Sequence, residues 1–321
     1  MAGPASHPVL DRIGGTPLLD LTRYARGLGM EGVAILAKFE GANPGGSVKD
    51  RPAIQMIRSA IGDGRLDRRK AILDSTSGNT GIAYALIGRC LDYEVHIVAP
   101  ENMDEGRVAA LAAYGAKIIF SSPFEGSDGA IRLCGKLHAE TPELYFWPDQ
   151  YNNPDNWRAH YYGTGPEIEA ALGGRLTHFV AGIGTSGTLM GAGRYLRTRN
   201  PNLEVWAAEP DDGFHGIEGL KHMPSSIVPG LYEPSWLDGV LGADTEEAAV
   251  WADRLAADGL AVGRSSGCAL AAALRLAARL PDEERARAVI ATIFPDTLEK
   301  SVVDLARPFD ADGGIRRGKA A

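Results

Sequence analysis

The sequence predicts an α/β protein of two domains, each a mostly parallel twisted sheet flanked by helices, on three observations. Short β-branched apolar runs alternate with longer amphipathic stretches, which is the rhythm of βαβ units. Right-handed crossovers between such strands then place helices on both sheet faces. The 321 residues, of which 45% are hydrophobic and 23% charged, fit two domains of about 150 residues and exclude low-complexity and largely disordered chains.

Taken in order, the first informative segment is N-P-G-G-S-V-K-D-R at 43–51, which opens a helix over about 50–62. Lys49 sits in its Gly-Ser turn, at the positive end of the helix. That end and burial both disfavour an ammonium and lower the lysine pKa. Bringing it from about 10.4 to about 7.4 would leave roughly a third of the amine neutral at pH 7, as an imine-forming lysine needs. A surface lysine paired with Asp50 would leave the same local pattern.

The strand 72–74 runs into S-T-S-G-N-T-G at 75–81, which opens a helix from about Asn79. Thr76, Ser77 and Thr80 bring hydroxyls to exposed N–H groups at a helix start, a cradle suited to a carboxylate, and Asn79 can donate to a neighbouring oxygen. Five capping-type residues in seven positions exceed what a helix cap requires. A strand at 94–99, a helix at 104–114 and a strand at 117–120 continue the rhythm. An Asn-, Asp-, Pro- and aromatic-rich stretch, 147–157, interrupts it and reads as an inter-domain connection. The expected division is a smaller, mobile substrate-binding domain at 45–155 and a larger domain of 1–44 plus 156–321.

The rhythm resumes with a strand at 177–181, followed by G-I-G-T-S-G-T at 182–188 and a helix to about Arg199. The G-x-G-x-x-G spacing matches a dinucleotide fingerprint, with Glu204 and Glu209 about 20 residues on. Physically the loop only admits an anion at a helix N-terminus. Its hydroxyls, on Thr185, Ser186 and Thr188, tilt the reading toward a terminal phosphomonoester. A strand at 203–208 follows. The stretch 211–234 has no period and reads as an ordered functional loop; within it H-G-I-E-G-L-K-H at 215–222 offers Lys221 and two histidines to an anion, or is simply solvated. A helix at 245–257, G-R-S-S-G at 263–267 opening a helix to about 280, and a strand at 288–294 complete the pattern. Residues 310–321 read as a frayed end.

The charge balance of 33 Lys+Arg against 41 Asp+Glu, a net of −8, disfavours a nucleic-acid partner. Cys90, Cys134 and Cys268 suggest neither a disulfide framework nor a zinc cluster, and fit a reducing cytoplasm. Cys268 reads as a small buried helix residue. No apolar stretch approaches the roughly 20 residues that span a bilayer, so no membrane role is expected, and the seven histidines show no metal-binding spacing.

Together, G-G-T-P-L at 14–18, the motifs at 43–51 and 75–81, T-G-P-E-I at 164–168, the loop 182–188 and R-S-S-G at 264–267 resemble the cysteine synthase family. Its members are fold-type II pyridoxal-phosphate enzymes, similar to tryptophan synthase β and related to cystathionine β-synthase. The resemblance covers nearly the whole chain. It implies that Lys49 holds pyridoxal 5'-phosphate as an internal aldimine and is the catalytic base. Gly184, Thr185, Ser186, Gly187 and Thr188 would hold the phosphate, Asn79 would contact the ring hydroxyl and Ser265 would face the pyridine nitrogen. Thr76, Ser77, Gly78 and Thr80, with Gln150, match positions that grip the substrate α-carboxylate, which sets the dinucleotide reading aside.

The implied reaction is β-replacement on an activated L-serine, O-acetylserine or O-phosphoserine, with sulfide to give L-cysteine through an aminoacrylate, in a cytoplasmic homodimer. Lys221 would serve as a leaving-group contact. The family commonly carries a Gly-x-Arg-Tyr-Leu-Ser type segment after the final strand, where this chain has F-P-D-T-L-E-K-S-V at 294–302. The missing tyrosine keeps a second nucleophile open, in a β-substituted-alanine synthase or a serine/threonine dehydratase. An inactive binding homologue has no chemical need for Lys49, Asn79 and Ser265 together.

Overall fold

The computed structural model describes residues 6–298. The strands are β1 (Leu18–Asp20), β2 (Ala34–Phe39), β3 (Ala71–Ser75), β4 (Val95–Pro100), β5 (Lys117–Ser121), β6 (Tyr145–Phe146), β7 (His178–Gly182), β8 (Glu204–Pro210), β9 (Gly239–Ala243) and β10 (Val289–Phe294). They form two sheets, ordered β1-β2-β10-β7-β8-β9 and β5-β4-β3-β6. Every pairing is parallel except that of β1 with β2.

Both sheets are covered on both faces. In β10, Ile290 and Phe294 enter one apolar cluster while Ala291 and Ile293 enter another, since alternate side chains leave opposite sides of a pleated strand. The same division explains why these strands read as unbroken apolar runs rather than polar–apolar alternation. The smaller sheet packs the helices Asp50–Gly62 and Asn79–Leu91 on one face and the helix Gly126–Glu140 on the other.

The expected strands at 72–74, 94–99, 117–120, 177–181, 203–208 and 288–294 each lie within two residues of an observed one, and the helix 245–257 coincides with Thr245–Ala257. The last long helix begins earlier than 267, as Arg264–Arg279. Ser265 therefore belongs to its first turn. The pattern did not reveal β1, β2, β6, β9 or the helix Gly126–Glu140. The polar helix face and the short Gly-rich run of β9 carry weak period signals, and pairing with longer neighbours supplies the rest. The end 310–321 lies outside the described residues.

Gly267, in that first turn, marks a close approach of two helices. A Cβ there would stand 1.9 Å from the Ala248 carbonyl oxygen. Gly267→Ala is therefore expected to lower stability by about 1–3 kcal/mol despite gaining about 1 kcal/mol of helix propensity; a rise in the urea midpoint would contradict this packing.

In the centre of the smaller sheet Asp74 is fully buried. It accepts bonds from the Ser75 backbone N–H at 2.8 Å and the Trp147 indole at 3.1 Å, yet burial pushes its pKa up to about 7. An unfolded Asp titrates near 3.9. The raised folded value means that its contribution is fully present below about pH 4 and is lost as pH rises toward about 7. Asp74→Asn should remove a decline of up to about 4 kcal/mol across that window. Denaturant titrations of both proteins from pH 4 to 8 check this, and parallel profiles would refute it.

Candidate active site

A cavity of about 380 Å³ opens between the carboxyl ends of the two sheets, where parallel strands leave room for ligands. Ser75 ends β3, Pro100 ends β4, Gly182 ends β7 and Ile293 lies in β10, and all four line it. So do Lys49, Thr76, Ser77, Gly78, Asn79, Thr80, Gln150, Gly184, Thr185, Ser186, Thr188, Lys221 and Ser265. One set of walls thus gathers residues from motifs more than 200 positions apart. Gly187 is packed behind the loop instead, where a Cβ would stand 1.9 Å from Asn156 Oδ1.

Lys49 takes the N-cap position of the helix Asp50–Gly62. Burial lowers its pKa, and the charge of Asp296 opposes that fall. The lysine's own loop is tied down on both sides: the Val48 N–H donates to Pro295 O at 2.7 Å, and the Gly45 N–H to Asp50 Oδ2 at 2.5 Å.

Behind Lys49 lies a buried ion network. Arg51 Nε donates to Glu40 Oε2 at 2.6 Å, while Nη1 and Nη2 each reach Glu167 at 2.7 Å. Thr16 Oγ1 donates to Glu40 Oε1 at 2.8 Å, and Lys38 pairs with Glu167 at 2.7 Å. Burial would raise the Glu167 carboxyl, but the Arg51 and Lys38 bonds hold it down to about 2. Three of the sequence motifs, at 14–18, 43–51 and 164–168, meet in this network.

In the loop 75–80, the Thr80 hydroxyl donates to Gln150 Oε1 at 2.9 Å, and Gln150 Nε2 reaches Ser75 O at 3.5 Å. Gln150 is buried at 4% exposure, and with Tyr151 it brings the stretch 147–157 into the cavity wall. Asn79 Nδ2 donates to Asp296 Oδ2 at 2.7 Å.

The loop 182–188 turns through Ser186 in the left-handed region, φ 65°, and delivers its hydroxyls to the start of the helix Gly187–Arg199. Gly184 lets it touch a neighbouring loop, since a Cβ there would stand 2.1 Å from Gly219 O. Asn156 Nδ2 donates to Thr185 Oγ1 at 3.1 Å and to Gln150 O at 2.6 Å. His160, in the π-helical turn His160–Thr164, lies 3.2 Å from Thr188 Oγ1 through Nε2 and 2.9 Å from Thr164 Oγ1 through Nδ1. Burial keeps this imidazole neutral, well below its usual pKa. The hydroxyl-lined helix start and the glycine close approach suit a phosphomonoester, and the enclosed amine suits the aldehyde of the same small molecule. The residues present fit pyridoxal phosphate.

The loop 211–234 brings Glu218, Gly219, Leu220 and Lys221 to the cavity. The Lys221 ammonium lies 5.4 Å from the centre of the Tyr151 ring, and burial lowers its pKa. The two histidines do not join it. His222 Nδ1 is engaged by Ser225 Oγ at 2.8 Å and His215 Nδ1 accepts from the Ile217 N–H at 3.2 Å, so local turn bonds hold both rings outside the cavity lining. Cys268 is buried and its thiol is pushed up to about 12, which leaves it protonated and part of the core.

Sequence reasoning missed Asn156, His160, Arg107, Glu218 and Asp296. Arg107 Nη1 donates to Ser77 O at 3.2 Å, and its Nη2 forms an ion pair with Glu218 across the cavity mouth. Arg107 and His160 lie outside every motif, whereas Glu218 and Asp296 lie in the segments 215–222 and 294–302 and Asn156 in 147–157, where the signal marked the segment but not the residue.

Comparison with known proteins agrees with this geometry. The family model described as pyridoxal-phosphate dependent enzyme matches residues 9–296. The chain is 47% identical to a cysteine synthase of Aquifex aeolicus over 297 residues, covering 92% of this chain and 90% of that protein. Among solved structures it is similar to a cysteine synthase of Entamoeba histolytica, with TM-score 0.87, 34% identity and coverage of 95% and 92%. It is also similar to an O-acetylserine dependent cystathionine β-synthase of Helicobacter pylori, with TM-score 0.84, 36% identity and coverage of 92% and 96%.

Proposed function

The chain belongs to the pyridoxal-phosphate dependent enzyme family, and within it we propose a transferase that makes L-cysteine from an activated L-serine and sulfide by β-replacement. The observation that carries this reading is the convergence of Lys49, two hydroxyl-rich loops and Ser265 on one cavity. The similarity to cysteine synthases over most of the chain supports it. The parallel sheet built only from 71–146 supports a smaller substrate-binding unit over 45–155 that moves against the rest. The resemblance supports a homodimer, and the three free cysteines support a reducing, cytoplasmic setting.

Bound in this cavity, pyridoxal phosphate supplies the aldehyde that captures amines and the electron sink that makes a Cα–H acidic. The loop 184–188 would hold its phosphate through backbone N–H groups and the hydroxyls of Thr185, Ser186 and Thr188, and Asn79 and Ser265 would address its ring. The loop 76–80 with Gln150 receives the substrate carboxylate; Thr80, by donating to Gln150 Oε1, orients that amide. Lys49, whose pKa burial lowers, is available as a neutral amine to take the Cα proton. The β-leaving group departs with the electron pair of its C–O bond, hydrosulfide adds at Cβ, and Lys49 returns the proton to Cα. Ser265, if it meets the ring nitrogen, would not hold that nitrogen protonated as a carboxylate would, and so would favour elimination and addition over transamination.

A second reading keeps the core and changes the nucleophile. The similarity to an O-acetylserine dependent cystathionine β-synthase and the departure at 294–302 favour it. Feeding O-acetylserine with sulfide or with a larger thiol, and measuring thioether, cysteine and keto acid, separates the two. Cysteine formed with sulfide, without keto-acid release, supports the first; keto acid as the main product would exclude both in favour of a dehydratase.

Two outcomes are expected of variants. Lys49→Ala should lose the visible absorption of the lysine-bound cofactor and reduce turnover by several orders of magnitude; a variant that kept the same chromophore would remove Lys49 from the role. Lys221→Ala should raise KM for O-phosphoserine at least several-fold more than for O-acetylserine, because a cation at the mouth meets the more anionic leaving group. Equal changes for both substrates would refute that contact.

A further inference from the structure

After β10 the chain turns at Pro295 and enters the cavity wall at Asp296, two residues past the end of the strand and inside the segment that departs from the family pattern. Its backbone bridges Ser47, two residues before Lys49, and that of Thr297 bridges Val262. These contacts pin Asp296 between the lysine loop and the turn that leads to Ser265. Carboxylate Oδ2 accepts from Asn79 Nδ2 at 2.7 Å, and Oδ1 faces Gly263 so closely that a Cβ there would stand 2.5 Å away. One carboxylate therefore adjoins all three segments that carry Lys49, Asn79 and Ser265.

We propose that Asp296 is a positioning residue of this site, whose carboxylate fixes the orientation of the Asn79 amide and provides the counter-charge to the Lys49 amine. The proposal rests on the reading that these residues address the cofactor, and it names the residue that prepares them. A carboxylate can only accept, so the amide must turn its NH₂ group toward Asp296; the flipped amide would set oxygen against oxygen. That bond uses one N–H of the amide and so settles which end of the Asn79 side chain is nitrogen. The same charge favours the ammonium form of Lys49 against burial, making the amine a stronger base once it has released its proton.

Other charged and titratable groups near Lys49 come from different elements. His160, on the π-helical turn, is kept neutral by burial, and Arg51 on the lysine's own helix is committed to Glu40 and Glu167. Arg107, Glu218 and Lys221 line the same cavity, the first two paired with each other. Asp296 is the carboxylate whose charge acts on Lys49.

The test uses cofactor-free protein, so that it does not depend on activity. Amine labelling with trinitrobenzenesulfonate from pH 6 to 11, followed at the Lys49 peptide by mass spectrometry, gives the labelling midpoint of that lysine. Asp296→Asn and Asp296→Ser should lower the midpoint by about one pH unit or more, and Asp296→Glu should largely restore it. In the cofactor-loaded protein the two neutral variants should also shift the pH dependence of the visible absorption. An unchanged midpoint in either folded neutral variant overturns the proposal. So does failure of both neutral variants to fold while Asp296→Glu folds, because the carboxylate would then be a structural requirement. Loss of the cofactor reading itself would appear separately, as a persistent chromophore in Lys49→Ala.

Discussion

The contact on which the site depends is the buried fork of Arg51. Its guanidinium, 5% exposed, binds Glu40, which is fully buried, and Glu167 at once. With Lys38 added, two positive and two negative charges balance inside the protein. Such a group is costly to take from water, and leaving one member without its partners costs about 3–5 kcal/mol. The geometry is therefore strongly specified even where the net stabilisation is small. Arg51 is two residues from Lys49, so whatever fixes the guanidinium fixes the first turn of the lysine's helix.

This explains a feature of the sequence that chemistry at the cavity does not. Gly14 N–H donates to Asn43 Oδ1 at 2.9 Å, Gly15 N–H to Glu167 Oε1 at 3.1 Å, and Asn43 Nδ2 to Glu40 Oε2 at 2.8 Å. The motifs at 14–18, 43–51 and 164–168 are thus partly scaffold: they assemble the charge network rather than touch a ligand. Only Lys49 among their residues lines the cavity with a functional side chain. A motif can be faithful to a family because it builds the support, and mutation at Gly14 or Glu167 would then act on the lysine from a distance.

The parts of the fold legible in the sequence were those where local signals and tertiary position agree. β3, β7 and β10 are apolar on both faces and lead directly into polar turns, so composition and function mark the same boundary. The two hydroxyl-rich loops were legible as parts of one cavity wall because hydroxyls at a helix start mark exposed N–H groups in the sequence itself. β2, although an interior strand of its sheet, lies in a stretch whose neighbours carry Gly and charge, and its pairing with β1 and β10 reveals it. His215 and His222 show the reverse error: polar residues beside Lys221 suggested a shared anion site, but short-range bonds to Ile217 and Ser225 hold them elsewhere. Side-chain direction is set there by backbone turns, which residue type alone does not report.

Polar contacts between the loops of the cavity lie at different depths. Asn79 reaches Asp296 in the interior, while Arg107 reaches Glu218 at the mouth. The interior pair is enclosed and hence little screened; the outer one, with Glu218 72% exposed, is weakened by water and salt. Arg107 also holds the Ser77 carbonyl, so loss of the outer pair would disturb the loop 76–80, whereas Lys49 rests on the Arg51 network and the loop 184–188 on Asn156 and His160. The contact at the mouth and the supports of Lys49 are therefore separate, and a change at the first leaves the bonds of the second in place.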